Sequence, residues 1–172
     1  YEMQRSLVGS EMCIRDSVTI GKEVEYVRSY LTIQKMRYKD KLEFEIEVEP
    51  CITHVPIIRL VLQPIVENAI YHGLKYKDSK GLLKVHGYMK GENAVIDITD
   101  DGVGMDEETL KHIYDKHKVN YRSNGVGVYN VQQRLVLYYG KDYGIIDHSE
   151  KGKGTTASVV IPGMQEGSHE RS

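Results

Sequence analysis

Two alternating runs, Leu82–Tyr88 and Ala94–Thr99, flank the link Lys90-Gly91-Glu92-Asn93. Period-two alternation gives a strand two unlike faces, and a glycine in a short polar link is a hairpin signal. An antiparallel pair is therefore expected, and its second strand runs straight into Asp100-Asp101-Gly102-Val103-Gly104. Leu42–Val48 (LEFEIEV) also alternates, with Glu43, Glu45 and Glu47 lining a wet face. Upstream, Ile20, Val24, Val27 and Leu31 recur as one face of a helix over about Lys22–Tyr38, leaving Arg28, Gln34, Lys35 and Arg37 off it. Cys51–Val55 is a connector, and Pro56 suits the first turn of the next helix. That helix runs through LQPIVENAIYHG, Leu62–Gly73, with a bend expected at Pro64 and a left-handed cap at Gly73. Leu74–Gly81 is polar and reads as a loop. Asp106–His117 carries acids in its first turn and basic groups in its last, as a helix favours. Gly125-Val126-Gly127-Val128 opens a further helix, with Val128, Val131, Leu135 and Tyr138 on one face and Gly140 at its end. Ile145–His148 and Thr155–Ile161 read as closing strands.

At 172 residues this is one domain with enough chain for a core. The tract Val18–Gly163 is assigned to it. Residues Tyr1–Ser17 lack a period, and SLVGSEMCIRDS within them resembles a translated sequencing-adapter tail, so this stretch is set aside as non-native or disordered. Met164 onward is a polar, disordered tail. No run reaches the eighteen or so apolar residues that a membrane span needs. A net charge of −2 gives no basic footprint for nucleic acid. Cys13 and Cys51 have neither metal-ligand spacing nor the density of a secreted disulfide scaffold, which points to a reducing compartment.

The chemistry concentrates in four places. On the Leu62–Gly73 helix, Ile65, Ala69 and Val61 form a core stripe, while Asn68 and His72, four apart, share a second face. An amide and an imidazole on one edge suit a phosphate-bound divalent cation and a phosphate oxygen. The same pair also suits an ordinary solvated face. The second place is the Asp-Asp-Gly-x-Gly turn. Asp100 ends a strand whose inward positions are read as Val95 and Asp97, and an enclosed carboxylate needs a donor, such as the exocyclic amine of a purine. A turn-forming Asx pair is the plainer reading. Third, bare glycines at Gly125 and Gly127 let backbone N–H groups at a positive helix end reach an anion, although a Gly-x-Gly at a helix start taken alone reads as a packing feature. Fourth is Gly152-Lys153-Gly154-Thr155-Thr156 leading into a strand.

The order of these motifs resembles the ATP-binding domain shared by gyrase, the gyrase-like chaperones, the mismatch-repair ATPases and sensor histidine kinases. It covers roughly Val18–Pro162. YLTIQKMRYKDKLEFEIEV, then VPIIRLVLQPIVENAIYHG, then NVQQRL are similar to the LytS-like branch of sensor histidine kinases. The resemblance implies an α/β two-layer sandwich: a mixed, mostly antiparallel sheet with helices on one face and a short ATP lid, Lys118–Asn124. ATP and Mg²⁺ are the implied cofactors. Asn68 would coordinate Mg²⁺, with Glu67 as metal-water or outer partner, and His72 would contact phosphate. Asp100 would accept from the adenine amine, Gly102 and Gly104 would make room for the ring, Gly125 and Gly127 would border the phosphates, and Thr155 would assist at the base through a water. Two positions depart from the commoner pattern: Tyr71 stands where Lys is usual, and Val128 where Leu is usual. The first puts a cationic phosphate contact in doubt, with Lys75 or Lys77 the candidates to replace it.

In gyrase-type hydrolases a general-base Glu sits four residues before the Asn. Here that position is Pro64, and Glu67 is displaced about 100° around a helix from Asn68. Slow hydrolysis and phosphoryl transfer to a histidine are the expectation. None of the seven histidines is followed by Phe, so the His-Phe-x-Phe-Asn acceptor of the resembling kinases must be supplied by an upstream dimerisation domain. The expected setting is the cytoplasmic part of a membrane-anchored bacterial homodimer serving a response regulator. A gyrase-type ATPase driving conformational change and a non-catalytic nucleotide-binding interaction module stay open as alternatives.

Overall fold

The computed structural model describes residues 17–113 and 125–163. The adapter-like N-terminal stretch up to residue 16, the Lys118–Asn124 lid, the end of the Asp106–His117 helix and the tail from Met164 lie outside the described residues. Five strands form one sheet in the order β2-β4-β5-β7-β6. They are β2 (Leu42–Val48), β4 (Gly81–Lys90), β5 (Asn93–Asp100), β6 (Gly144–Glu150) and β7 (Gly154–Pro162). Only β2 and β4 run parallel; the other pairs are antiparallel. A two-stranded sheet joins β1 (Ser17–Thr19) to β3 (Pro56–Ile58). The helices are α1 (Ile20–Tyr38), α2 (Leu62–Asn68), α3 (Glu107–Ile113) and α4 (Gly125–Tyr139).

The expected two-layer sandwich is present, and the alternating runs explain it. Leu83 and Val85 of β4, Ile96 and Ile98 of β5, and Ala157, Val159 and Ile161 of β7 bury one face of the sheet. Ile20, Val24, Val27 and Leu31 of α1, Ile65 and Val66 of α2, and Val128, Val131 and Leu135 of α4 bury against them. This is how alternating strands and amphipathic helices jointly remove apolar surface from water. The opposite sheet face is polar. Lys84 pairs with Glu45 across β2 and β4, while Tyr88 and Ser158 both donate to Asp97. Gly91 (φ +62°) and Glu92 form the β4–β5 turn between the paired residues Lys90 and Asn93. A glycine at the first position of such a turn matches the right-handed strand twist.

Five expectations change. Pro56 lies in β3, not in a helix, and α2 begins only at Leu62, so Pro64 falls in its first turn. There it forfeits no intrahelical bond, and no bend is needed. Gly73 does not cap the helix. The helix continues past Asn68 as a π-helical turn, Ala69–Leu74, and the N–H of Lys75 reaches the Ile70 carbonyl at 2.9 Å. Tyr138 is exposed, and its neighbour Tyr139 packs on the core instead. β1 includes Ser17, which the period had placed in the tail.

The NVQQRL segment of α4 ties layers together. Gln132 Oε1 accepts from the Ile145 N–H at 2.7 Å, and Arg134 donates to the Arg59 carbonyl at 2.7 Å. Among the described residues, no helix is long and apolar enough to cross a membrane.

Candidate nucleotide site

A cavity opens between α2 with its π turn, the end of β5, β6–β7 and the start of α4. Ile65, Asn68, Ala69, His72 and Gly73 form one wall. Ile98, Asp100, Gly104, Met105, Val128, Asp147, Thr155 and Ala157 complete it. Of the residues picked out in the sequence, Asn68, His72, Asp100, Gly104 and Thr155 are thus brought together.

α2 and its π turn place the polar pair. The two faces read from spacing adjoin along the cavity, because Ile65 and Ala69 line it beside Asn68 and His72. A π turn widens the helix locally and is often found at functional sites. His72 is half-buried, and burial first, then the nearby Lys75 ammonium, lower its pKa below the usual 6.5. The imidazole is therefore neutral near pH 7, an uncharged donor or acceptor and not a fixed cation. Glu67 is not in the cavity wall. Its Oε1 accepts from Gln63 Nε2 at 3.1 Å, and its charge helps raise the pKa of Tyr30 on α1, after burial. Of these two neighbours, Asn68 lines the cavity.

Asp100 is 4% exposed. It shares the face of Ile96 and Ile98, opposite to Asp97, which corrects the strand parity read from the sequence. Its Oδ1 accepts the Gly102 N–H at 2.9 Å. Burial pushes its carboxyl up to about 6, helped slightly by Asp101. The Gly102 and Thr155 amides and Lys77 pull the other way. A carboxylate this enclosed, facing a cavity, is poised to take a donor from a ligand.

The glycines act through close approach. A Cβ on Gly73 would sit 2.6 Å from Asp100 Oδ1, and one on Gly102 would overlap the backbone of Gly73. The Val103 N–H donates to the Gly73 carbonyl at 3.2 Å, so the turn after β5 is seated directly on the π turn. Gly104 adopts φ +67° against the Glu150 carbonyl. Gly102 therefore works behind the cavity, and Gly104 at its wall. Gly125 is the first residue of α4, and Gly127 faces Pro64 across the α2–α4 contact. Thr155 shares a 2.6 Å hydrogen bond with Ser149, whose Oγ also accepts from the Met105 N–H at 2.8 Å. That ties the Asp-Asp-Gly-x-Gly turn to β6. Both candidate cations for the place of the usual Lys have other partners. The Lys75 ammonium lies 4.4 Å from the Tyr71 ring centroid, and Lys77 pairs with Asp101 at 2.9 Å. Neither lines the cavity.

Asp147 was missed from sequence although it lines the site. The signal was a polarity inversion on β6: Ile146 is 65% exposed while Asp147 faces the cavity. Also missed was Glu23 of α1, which is 2% exposed. Its carboxylate accepts from the amides of Leu60 (2.9 Å), Val61 (3.1 Å) and Leu62 (3.2 Å). α2 has no side-chain cap of its own, so its orphan N–H groups are met from another helix.

Among the described residues, no group of three or more His, Cys, Asp or Glu could hold a metal by itself. A hard divalent cation bound through one amide oxygen, with phosphates and waters completing its shell, fits this donor set.

Comparison with known proteins bears on this geometry. The profile of the "Histidine kinase-, DNA gyrase B-, and HSP90-like ATPase" family matches residues 54–165. The chain is 32% identical over 148 residues to sensor histidine kinase YesM of Bacillus subtilis, covering 86% of this chain and 24% of that protein. It is 34% identical over 148 residues to sensor protein LytS of Oceanobacillus iheyensis, covering 84% of this chain and 25% of that one. It therefore spans about a quarter of the length of these relatives. The fold superposes on the catalytic domain of histidine kinase ThkA (TM-score 0.63, 15% identity, 85% of this chain and 93% of that one). It also superposes on mycobacterial sensor histidine kinase MprB (TM-score 0.61, 20% identity, 85% and 95%).

Proposed function

The chain belongs to the histidine kinase-, DNA gyrase B- and HSP90-like ATPase family, its likeness being to the LytS and YesM sensor kinases, and from that premise we propose that it binds Mg·ATP and transfers the γ-phosphoryl group to a histidine of another domain. The observation that carries the reading is the single cavity with Asn68 and His72 on one wall and the buried Asp100 on the other. Asp100 accepts the adenine amine, while Gly104 leaves space for the ring. Asn68 contributes an amide oxygen toward Mg²⁺, and the neutral His72 meets a phosphate oxygen. Bound Mg²⁺ supplies neutralisation of the charge that develops on the phosphates. Gly125 and Gly127, at the start of α4, border the phosphates, and Thr155 supports the base through a water. Positioning and charge neutralisation carry most of such a transfer.

Hydrolysis is slow because the position one turn before Asn68 is Pro64, which has no group to activate water. The acceptor histidine lies on an upstream dimerisation domain of the same protein. The parent is a membrane-anchored homodimer with this domain in the cytoplasm, and it passes phosphate to a response regulator.

The test adds the chain, with Mg²⁺ and γ-labelled ATP, to the full-length parent carrying Asn68→Ala. Acid-labile label on a histidine of that parent, with little phosphate release by the chain alone, is expected. Steady phosphate release without transfer would favour a gyrase-type ATPase and contradict the kinase reading.

A further inference from the structure

Two residues upstream of α2, the backbone is held in an unusual state. Leu60 has φ +57°, a left-handed conformation that a leucine rarely adopts. Two side chains clamp this turn from opposite sides. From within, the buried Glu23 carboxylate takes the amides of Leu60, Val61 and Leu62. From without, the exposed Arg134 guanidinium donates to the carbonyls of Arg59 (2.7 Å) and Leu60 (3.4 Å).

This clamp fixes where α2 begins. The helix is then continuous through Asn68 into the π turn that bears His72. Six residues at about 1.5 Å rise put Asn68 about 9 Å along the axis from Leu62. Over so short a rigid element, a shift or tilt at the clamped end reaches the Asn68 amide nearly undamped. Asp100 hangs on a different support, the central strand β5, paired on both sides. The turn after β5 also rests on the π turn through the Val103–Gly73 hydrogen bond, but Asp100 itself belongs to β5, so the two halves of the cavity have different primary supports.

We infer that Glu23 is a positioning residue for the metal–phosphate half of the site: by gripping three amides at the head of α2, it sets Asn68 and His72 against the nucleotide without touching it. This rests on the reading of Asn68 as the metal-side ligand. It predicts a split that a generally stabilising cap would not give. Loosening the clamp should weaken binding of the magnesium–triphosphate portion and spare recognition of the base.

The experiment uses the whole chain with Glu23→Gln, Glu23→Asp and Arg134→Gln, well below their unfolding temperatures. Glutamine keeps one acceptor oxygen but turns an NH₂ donor toward the backbone amides. Affinity is measured calorimetrically for Mg·ATP and, by NMR titration in EDTA, for adenosine, which carries the base without phosphates. Glu23→Gln should lower Mg·ATP affinity at least fivefold and change adenosine affinity less than twofold. Glu23→Asp, which keeps the charge and both oxygens, should restore part of the loss. Amide shifts should spread from Leu60–Leu62 through Asn68 and His72. Wild-type Mg·ATP affinity in folded Glu23→Gln, an equal loss for both ligands, or shifts confined to Leu60–Leu62 would overturn the inference. Should Glu23→Gln fail to fold, Arg134→Gln, which frees the same turn from its exposed side, must show the same split at smaller size, and its absence overturns the inference equally. No Mg·ATP binding by the wild-type chain would instead refute the nucleotide reading.

Discussion

Replacing Asp100 by Asn should make the protein more stable near neutral pH while weakening its hold on ATP. The reason is the environment of the carboxylate. It is 4% exposed, and burial pushes its ionisation from an ordinary 3.8 up to about 6. Because the folded-state value lies above the unfolded one, the stability contributed by the protonated form is complete below about pH 4. It is lost as pH rises through about 6. The displacement corresponds to about 3 kcal/mol. Asn is close in shape and uncharged, and its Oδ1 can keep the 2.9 Å bond from Gly102 N. It therefore removes the ionisation cost and keeps the Gly102 contact, while loss of the Thr155 amide contact trims the gain below the full displacement. For a chain of this size a gain of about 1–3 kcal/mol raises the melting temperature by roughly 2–12 °C. With Oδ1 committed to Gly102, the Asn NH₂ faces the cavity and meets the adenine amine donor to donor. A lost bond plus an unsatisfied donor costs about 1.4–2.8 kcal/mol, or roughly 10- to 100-fold in affinity. The assay is urea unfolding of wild type and variant from pH 4 to 7.5, with calorimetric ATP titration at pH 7.5. The stability difference should grow across pH 4–6 and then level off. Wild-type binding should also release protons near pH 6, as the base amine favours the ionised carboxylate. A difference that stays flat with pH would refute the claim of a desolvated carboxylate, and unchanged ATP affinity would refute its role at the base.

Asn68→Ala should cost at least about tenfold in Mg·ATP affinity, roughly 1.4 kcal/mol, while moving the thermal midpoint little, because Asn68 is only half-buried; calorimetry beside a melting curve checks both. Gly73→Ala should destabilise by about 1–3 kcal/mol, since its Cβ would lie 2.6 Å from Asp100 Oδ1 and 2.8 Å from Cγ; denaturant unfolding measures this, and unchanged stability would mean that the turn is not seated on the helix. Proton NMR should find His72 titrating below 6.5, with the stability given by its neutral form lost as pH falls through that midpoint. Lys75→Gln should raise the midpoint only part of the way, because burial outweighs the lysine.

The sheet and the site were legible to different degrees. The alternation of Leu42–Val48 and Leu82–Tyr88 and the Gly91 turn are local signals, and the structure obeys them. The start of the nucleotide helix was not legible, because Pro56 and Pro64 both satisfy a first-turn rule. What decides between them is Glu23, nearly forty residues upstream and polar on an otherwise apolar helix face. The face of Asp100 was misread because Ala94, Val95 and Ile96 are all buried in the central strand, so alternation loses its meaning there. Gly73 looked like a helix terminator, yet its reason is a neighbouring backbone that no local rule contains. Asn68, His72, Asp100 and Thr155 were found by motif order, whereas Asp147 belongs to no motif and shows only as a polar residue on the inward side of a strand.

The most direct measurement is a crystal structure of the chain with Mg²⁺ and a non-hydrolysable ATP analogue. The adenine amine should lie about 3 Å from an Asp100 oxygen, and a six-coordinate magnesium about 2.1 Å from Asn68 Oδ1, within the one cavity. A nucleotide bound elsewhere, or one whose base and phosphates leave Asp100 and Asn68 untouched, would contradict the account.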